Sequence, residues 1–329
     1  MDNNQILQRL TAVVEKHLGA VTIDNARPLT GGAASSTWKF DVVGGDGRRS
    51  LILRCAETEE QISTGLQKSL EAQVQQAAFV GGVPAAEVLF TLAPSDQLGD
   101  GYVMDCLAGE SIPRKILRNK EFDCVRPNLA AQCGSILARI HALTPPKELS
   151  VLTAAEQIRR QAADYRQYNQ PLPVFELALR WLERNQPKQN NLTLVHGDFR
   201  NGNLLVTPEQ GINGVLDWEL AHQGDPMEDL GWLCVNSWRF GNRHLPVGGF
   251  GSREALFAAY EQAAGIKVDS KAVHFWEVFG VLKWGVICLF MCKADMKNDI
   301  CSVERAAIGR RVSETEVDLL TLLAAGVES

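Results

Sequence analysis

The sequence lacks the marks of several large functional classes. Its 329 residues hold 33 Lys and Arg against 39 Asp and Glu, a net charge of −6, with no basic stripe along the chain. A nucleic-acid binder normally concentrates positive charge on one face or segment, so that class is not expected. The eight cysteines, Cys55, Cys106, Cys124, Cys133, Cys234, Cys288, Cys292 and Cys301, form no C-x-x-C pair, and most stand in apolar runs. Reduced, buried thiols are therefore expected, not disulfides or zinc. The opening Met-Asp-Asn-Asn-Gln has no basic region followed by an apolar stretch, which speaks against a signal peptide and for a cytoplasmic protein. The longest apolar segment, 278–292, contains Lys283. It reads as a buried helix, too short to cross a bilayer comfortably, so no membrane span is expected. Repeats and low-complexity tracts are absent, and the charges of both signs, 22% of residues, are scattered, unlike a disordered or fibrous chain.

What is present suits a large fold. The hydrophobic share of 45% can fill one big domain or two lobes. Ile6, Leu7, Leu10, Val13, Val14 and Leu18 recur at helical spacing and predict a helix over 4–18. Strands are expected at 26–30, 37–43 and 50–55, a helix at 62–79, and two further strands at 86–92 and 102–106. Together these make an antiparallel five-stranded lobe with a helix, residues 1–106. After the turn Leu107-Ala108-Gly109-Glu110 the pattern becomes helical, at 128–143, 153–186 and from about 227 onward. Short strands are expected at 192–195, 203–206 and 214–216. The fold class is α+β, with a larger, mostly helical lobe over 107–329.

The chemistry concentrates in His196-Gly197-Asp198-Phe199-Arg200-Asn201-Gly202-Asn203, a polar loop between two short apolar strands. Asp198 can accept the proton of a substrate hydroxyl. Asn203 and, at the end of the next strand, Asp217 offer the hard oxygens that suit Mg²⁺. A positioned hydroxyl and a metal neutralising phosphate oxygens are the parts that phosphoryl transfer from ATP requires. A polar turn with two structural acids is the plainer alternative, and the combined pattern outweighs it.

The sequence His196-Gly197-Asp198-x-x-x-x-Asn203 followed by Asp217 resembles the motif of the aminoglycoside phosphotransferase and choline kinase group. That group shares the protein-kinase-like fold, with H-G-D in place of H-R-D. The resemblance extends over nearly the whole chain and implies a bilobal fold in which Asp198 is the catalytic base and Asn203 and Asp217 bind magnesium. The stretch from Leu216-Asp217-Trp218-Glu219 to Asp225-Pro226 and Asp229 is similar to phosphotransferases related to the kinase-like domains fused to acyl-CoA dehydrogenases. Some of those phosphorylate hydroxyacyl-CoA. Asp225 and Pro226 should cap and begin a helix, and the resemblance implies that Asp229 ties the backbone of the catalytic loop.

The nucleotide half is read from the first lobe. Gly31 and Gly32 lie in a turn that lets backbone N–H groups approach phosphate oxygens, and Ser35 and Ser36 can add hydroxyls. Arg54 stands on the third strand where such a kinase carries Lys, with Glu71 expected as its bidentate partner on the following helix. Met104, Asp105 and Cys106 resemble the hinge strand, its backbone meeting the adenine edge. Arg200 can stabilise the transferring phosphate, and Glu219 can assist metal binding or face the substrate. His196 and His141 read as structural. Trp238, Trp276, Phe279, Trp284 and Phe290 read as core, or alternatively as the lining of an acceptor pocket. With Glu277 the one acid between His274 and Cys292, a partly apolar alcohol is expected before a polycation. The expected partners are ATP, Mg²⁺ and a small hydroxyl acceptor. An aminoglycoside or macrolide kinase, or a catalytically silent nucleotide-binding scaffold, stands as the alternative.

Overall fold

The computed structural model describes residues 3–29, 36–45, 47–56, 65–188, 192–297 and 303–325. After helix α1 (Asn3–Leu18) come strands β1 (Thr22–Pro28), β2 (Ser36–Gly44) and β3 (Gly47–Ala56), helix α2 (Lys68–Val80), β4 (Val88–Thr91) and β5 (Asp100–Asp105). The five strands form one antiparallel sheet in the order β1-β2-β3-β5-β4.

Period-2 alternation decides what each face does. Leu51, Leu53 and Cys55 of β3 join Trp38, Phe40 and Val42 of β2 beneath Ile6, Leu10, Val13 and Val14 of α1. Each such burial contributes roughly 1.5–3 kcal/mol. Ile52, Tyr102 and Met104 take the other face, with Ala72 of α2. Arg54 shares that second face by register and so points at the helix carrying Glu71. The sheet is therefore sandwiched by two helices, α1 and α2. Helix α2 begins at Lys68, where the Asp100 carboxylate of β5 accepts hydrogen bonds from the N–H groups of Lys68 and Ser69; the first part of the helix expected from 62 lies outside the described residues. A carboxylate at a helix N-terminus satisfies orphan donors and meets the positive end of the dipole.

The second lobe holds α3 (Pro113–Arg118), α4 (Leu129–His141), α5 (Ala154–Arg166) and α6 (Pro173–Arg184). The polar stretch 153–186, expected to be helical, holds two of these helices, α5 and α6. Next come β6 (Thr193–Val195), β7 (Leu204–Thr207), β8 (Gly211–Val215) and β9 (His222–Gly224). They pair as two ribbons, β6 with β9 and β7 with β8. Helices α7 (Met227–Cys234), α8 (Arg253–Ala264), α9 (Ser270–Lys297), α10 (Val303–Gly309) and α11 (Val312–Ala325) complete the lobe. Gly134 lets α4 and α8 cross closely, since a Cβ there would lie 2.3 Å from the Leu256 carbonyl oxygen.

Helix α9 corrects one expectation. Its segment Ser270–Cys292 is long and apolar enough to cross a membrane by length and composition, with mean hydropathy 1.7, so shortness does not exclude a span. Burial identifies its role: 67% of its apolar window is packed inside the protein. Trp276 and Phe279 are core, whereas Phe290 is half exposed. Glu277 is buried between Arg239 (2.9 Å) and Arg253 (2.5 Å), so the acid of this tract is spent on structure. None of the seven cysteines among the described residues is in a disulfide.

Candidate active site

The loop 196–203 joins β6 to β7, and the loop 216–221 joins β8 to β9. The paired ribbons hold these loops side by side. The Leu216 N–H donates to the Asn203 carbonyl (2.8 Å), and His196 Nε2–H donates to the Leu216 carbonyl (3.1 Å). His196 Nδ1 accepts from the Asp198 N–H at 3.2 Å, which fixes the tautomer as a neutral ring with its proton on Nε2. Burial pushes this imidazole below its ordinary value. Gly197 adopts φ +80°, and a Cβ there would sit 2.4 Å from the Leu220 carbonyl. Only glycine serves, for space and for backbone conformation alike.

Asp229, fully buried on α7, anchors the loop from below. Its carboxylate accepts from the N–H groups of His196 (2.8 Å) and Gly197 (3.0 Å) and pairs with His141 Nε2 (3.1 Å). His141 in turn bonds the Tyr260 hydroxyl at 2.9 Å. Burial works to raise the Asp229 carboxyl, and the His141 contact foremost outweighs it, holding the group below its ordinary value. The helix starts at Met227, one residue later than expected, with the Asp225 side chain accepting the Met227 N–H at 2.9 Å.

Asp198 is oriented from three sides. Arg200 Nε (3.0 Å) and Trp232 Nε1 (2.8 Å) donate to Oδ1, and Asn203 Nδ2 donates to Oδ2 at 2.6 Å. Lys283 of α9 stacks its ammonium 4.8 Å over the Trp232 ring and reaches the Gly197 carbonyl at 3.3 Å. Trp232 and Lys283 were not read from the sequence as site residues, because each stands in an apolar helical run.

A second cluster faces this one. Asp217 adopts the left-handed conformation, φ 69° and ψ 66°. Its Oδ1 lies 2.9 Å from Arg54 Nη2, and that nitrogen is also 3.2 Å from Glu71 and 3.5 Å from Glu219. The expected bidentate Arg54–Glu71 fork is therefore replaced by contact through one nitrogen. The remaining cation is Lys68, 2% exposed, whose Nζ lies 2.7 Å from Glu71 and 3.3 Å from Glu219. It comes from the helix, not from the third strand, which is why the strand pattern missed it. The Tyr102 hydroxyl donates to Glu71 at 2.9 Å. Burial works to raise Asp217, but Arg54 holds it below the ordinary carboxylate range. Burial and then the Asp217 charge raise Glu219.

The oxygens Asn203 Oδ1 and Asp217 Oδ2 have no partner among the described residues, because the Asn203 amide nitrogen and Asp217 Oδ1 carry the contacts just given. Two open hard-oxygen donors fit a magnesium ion.

The backbone donors of the hinge strand are engaged within the first lobe. The Asp105 N–H donates to the Glu87 carbonyl (3.0 Å) and the Cys106 N–H to the Ser50 carbonyl (3.1 Å). Both are committed within the lobe and offer no free donor to a base edge. The Asp105 carboxylate is gripped by Arg49 through Nε and Nη2, each at 2.7 Å, and Met104 Sδ accepts from Gln75 at 3.1 Å. Ser36 begins β2; Gly31, Gly32 and Ser35 lie outside the described residues.

Comparison with known proteins adds an independent line. Residues 25–266 match the family model described as the phosphotransferase enzyme family. Human acyl-CoA dehydrogenase family member 11 is 25% identical over 305 residues, covering 84% of this chain and 37% of that protein. The chain spans less than two fifths of the length of these curated relatives. Among solved structures, a candidate aminoglycoside phosphotransferase from Ralstonia eutropha superposes with a TM-score of 0.71 at 20% identity, covering 94% of this chain and 95% of its own. The Streptomyces rimosus aminoglycoside phosphotransferase APH(3'')-Id, solved with ADP and streptomycin, gives 0.55 at 16% identity, covering 86% and 99%. These likenesses show a kinase-like fold.

Proposed function

This chain belongs to the phosphotransferase enzyme family, and on that premise we propose that it transfers the γ-phosphoryl group of ATP, with Mg²⁺, to a hydroxyl of a hydroxyacyl-CoA or a related alcohol. The observation that carries the reading is that Asn203 holds Asp198 within one loop and that this loop is hydrogen-bonded, Leu216 N–H to Asn203 carbonyl, to the start of the loop carrying Asp217. Asp198, held by Arg200, Trp232 and Asn203, receives or orients the acceptor's hydroxyl proton. Arg54 and Lys68, standing among Glu71, Asp217 and Glu219, face the nucleotide phosphates. Asn203 and Asp217 would hold magnesium, which supplies charge neutralisation to the phosphate oxygens. Arg200 offers a second positive charge beside the transferring group.

The acceptor class draws on two supports. The curated relatives are acyl-CoA dehydrogenase family members by name. The tract 274–292 has its sole acid, Glu277, locked in buried ion pairs, which disfavours a polycationic drug. ADP release measured across alcohols, hydroxy acids, their CoA esters, aminoglycosides and macrolides tests the reading. Turnover with a hydroxyacyl-CoA, dependent on Mg²⁺, supports it; turnover confined to the drugs replaces it with the resistance-kinase alternative.

A further inference from the structure

A cleft of about 720 Å³ opens between α3, the turn 236–243 and the start of α11. That size lies within the range of small-molecule sites. Four arginines line it, Arg114, Arg118, Arg243 and Arg311, against one acid, Glu314. In a chain of net charge −6, this is a local reversal of sign. Arg311 holds Glu314 through Nε at 3.0 Å, whereas Arg114, Arg118 and Arg243 have no ion-pair partner among the described residues. All three are exposed.

The cleft shares a wall with the catalytic loop. The Arg200 guanidinium, bonded to Asp198, lies 4.6 Å over the Trp238 ring. Trp238 meets Trp284 at 4.9 Å, and Arg311 lies 5.7 Å over Trp284. On the opposite side, a Cβ on Gly202 of the loop would stand 3.7 Å from Pro113 of the cleft. The indole N–H groups of Trp238 and Trp284 are buried yet unpartnered. Trp238 is only 4% exposed, and buried donors are ordinarily satisfied. Two unspent donors thus lie in the wall between the catalytic base and the arginines.

We infer that this cleft binds the anionic end of the phosphoryl acceptor, so that the acceptor carries phosphate or carboxylate groups besides its hydroxyl. Guanidinium forks match both groups in geometry and charge. The same charges repel cationic acceptors such as aminoglycosides. Calling the bound molecule an acceptor rests on the phosphotransferase reading; the existence of an anion site does not.

Binding measured without turnover separates the two. Wild type and the double variant Arg114→Glu/Arg243→Glu are titrated calorimetrically with coenzyme A and, separately, with 3-hydroxybutyrate, the nucleotide site being saturated with a non-hydrolysable ATP analogue. We expect at least one probe to bind wild type, to weaken with added salt, and to bind the double variant at least tenfold more weakly, with affinity for the ATP analogue unchanged. Coenzyme A binding alone assigns the cleft to phosphates; hydroxybutyrate binding alone assigns it to a carboxylate. No binding of either probe, or equal binding by both proteins, overturns the inference. That result leaves the kinase reading standing, just as binding without ADP release in any turnover assay would overturn the kinase reading and leave the anion site.

Discussion

Arg54 and Asp217, 163 residues apart in the chain, meet at 2.9 Å through Arg54 Nη2. The contact joins the sheet lobe to the helical lobe at the point where nucleotide phosphates and metal are proposed to sit. One nitrogen makes every acidic contact of Arg54 among the described residues, and its Nε is buried without a partner.

Replacement of Arg54 should therefore separate charge from shape. Arg54→Met removes a charge-assisted contact worth about 1.5–3 kcal/mol, so the KM for ATP should rise roughly ten- to hundredfold. Arg54→Lys, able to supply one charged nitrogen, should stay within a few-fold of wild type. Glu71 keeps Lys68 at 2.7 Å and Tyr102 at 2.9 Å in both variants, so melting temperatures should fall only modestly. Equal KM values for the Met and Lys variants would remove Arg54 from the phosphate site.

The pair His222–Glu228 predicts a pH-dependent stability. Burial alone would depress His222, but the Glu228 carboxylate 3.1 Å away outweighs it and raises the ring above its ordinary 6.5. The folded chain thus holds this proton more tightly than the unfolded one. The resulting stability is fully present below about pH 6.5 and fades as pH climbs through the raised folded value. The melting-temperature gap between wild type and His222→Gln should be widest at pH 6 and narrow toward alkaline pH. A gap independent of pH would contradict the pairing.

The parts legible in sequence are those whose geometry is local. Asp198, Asn203 and Asp217 stand on two tight strand–loop connections, and register alone brings them together. Asp229 was legible through the resemblance, and its two backbone contacts bear that out. The parts that were missed depend on distant partners. The N-terminal turn of α2 is held by Asp100, 32 residues beyond Lys68, a partner that no local pattern reveals. Lys68 enters the Glu71 cluster from the helix, although its i,i+3 spacing to Glu71 was a usable signal. Trp232 stands in an apolar helical run and is buried, yet its indole edge holds Asp198. Strand β9 is three residues of His-Gln-Gly, without the β-branched content that marks a strand.

The most direct test of the account is transfer of radiolabelled γ-phosphate from ATP to a hydroxyacyl-CoA by wild type and by Asp198→Asn. Asparagine keeps the size of the side chain but cannot take a hydroxyl proton. The account predicts labelled product with wild type and a rate roughly 10²–10⁴-fold lower with the variant, with both proteins folded and binding ATP alike. A variant that transfers phosphate at the wild-type rate would contradict it.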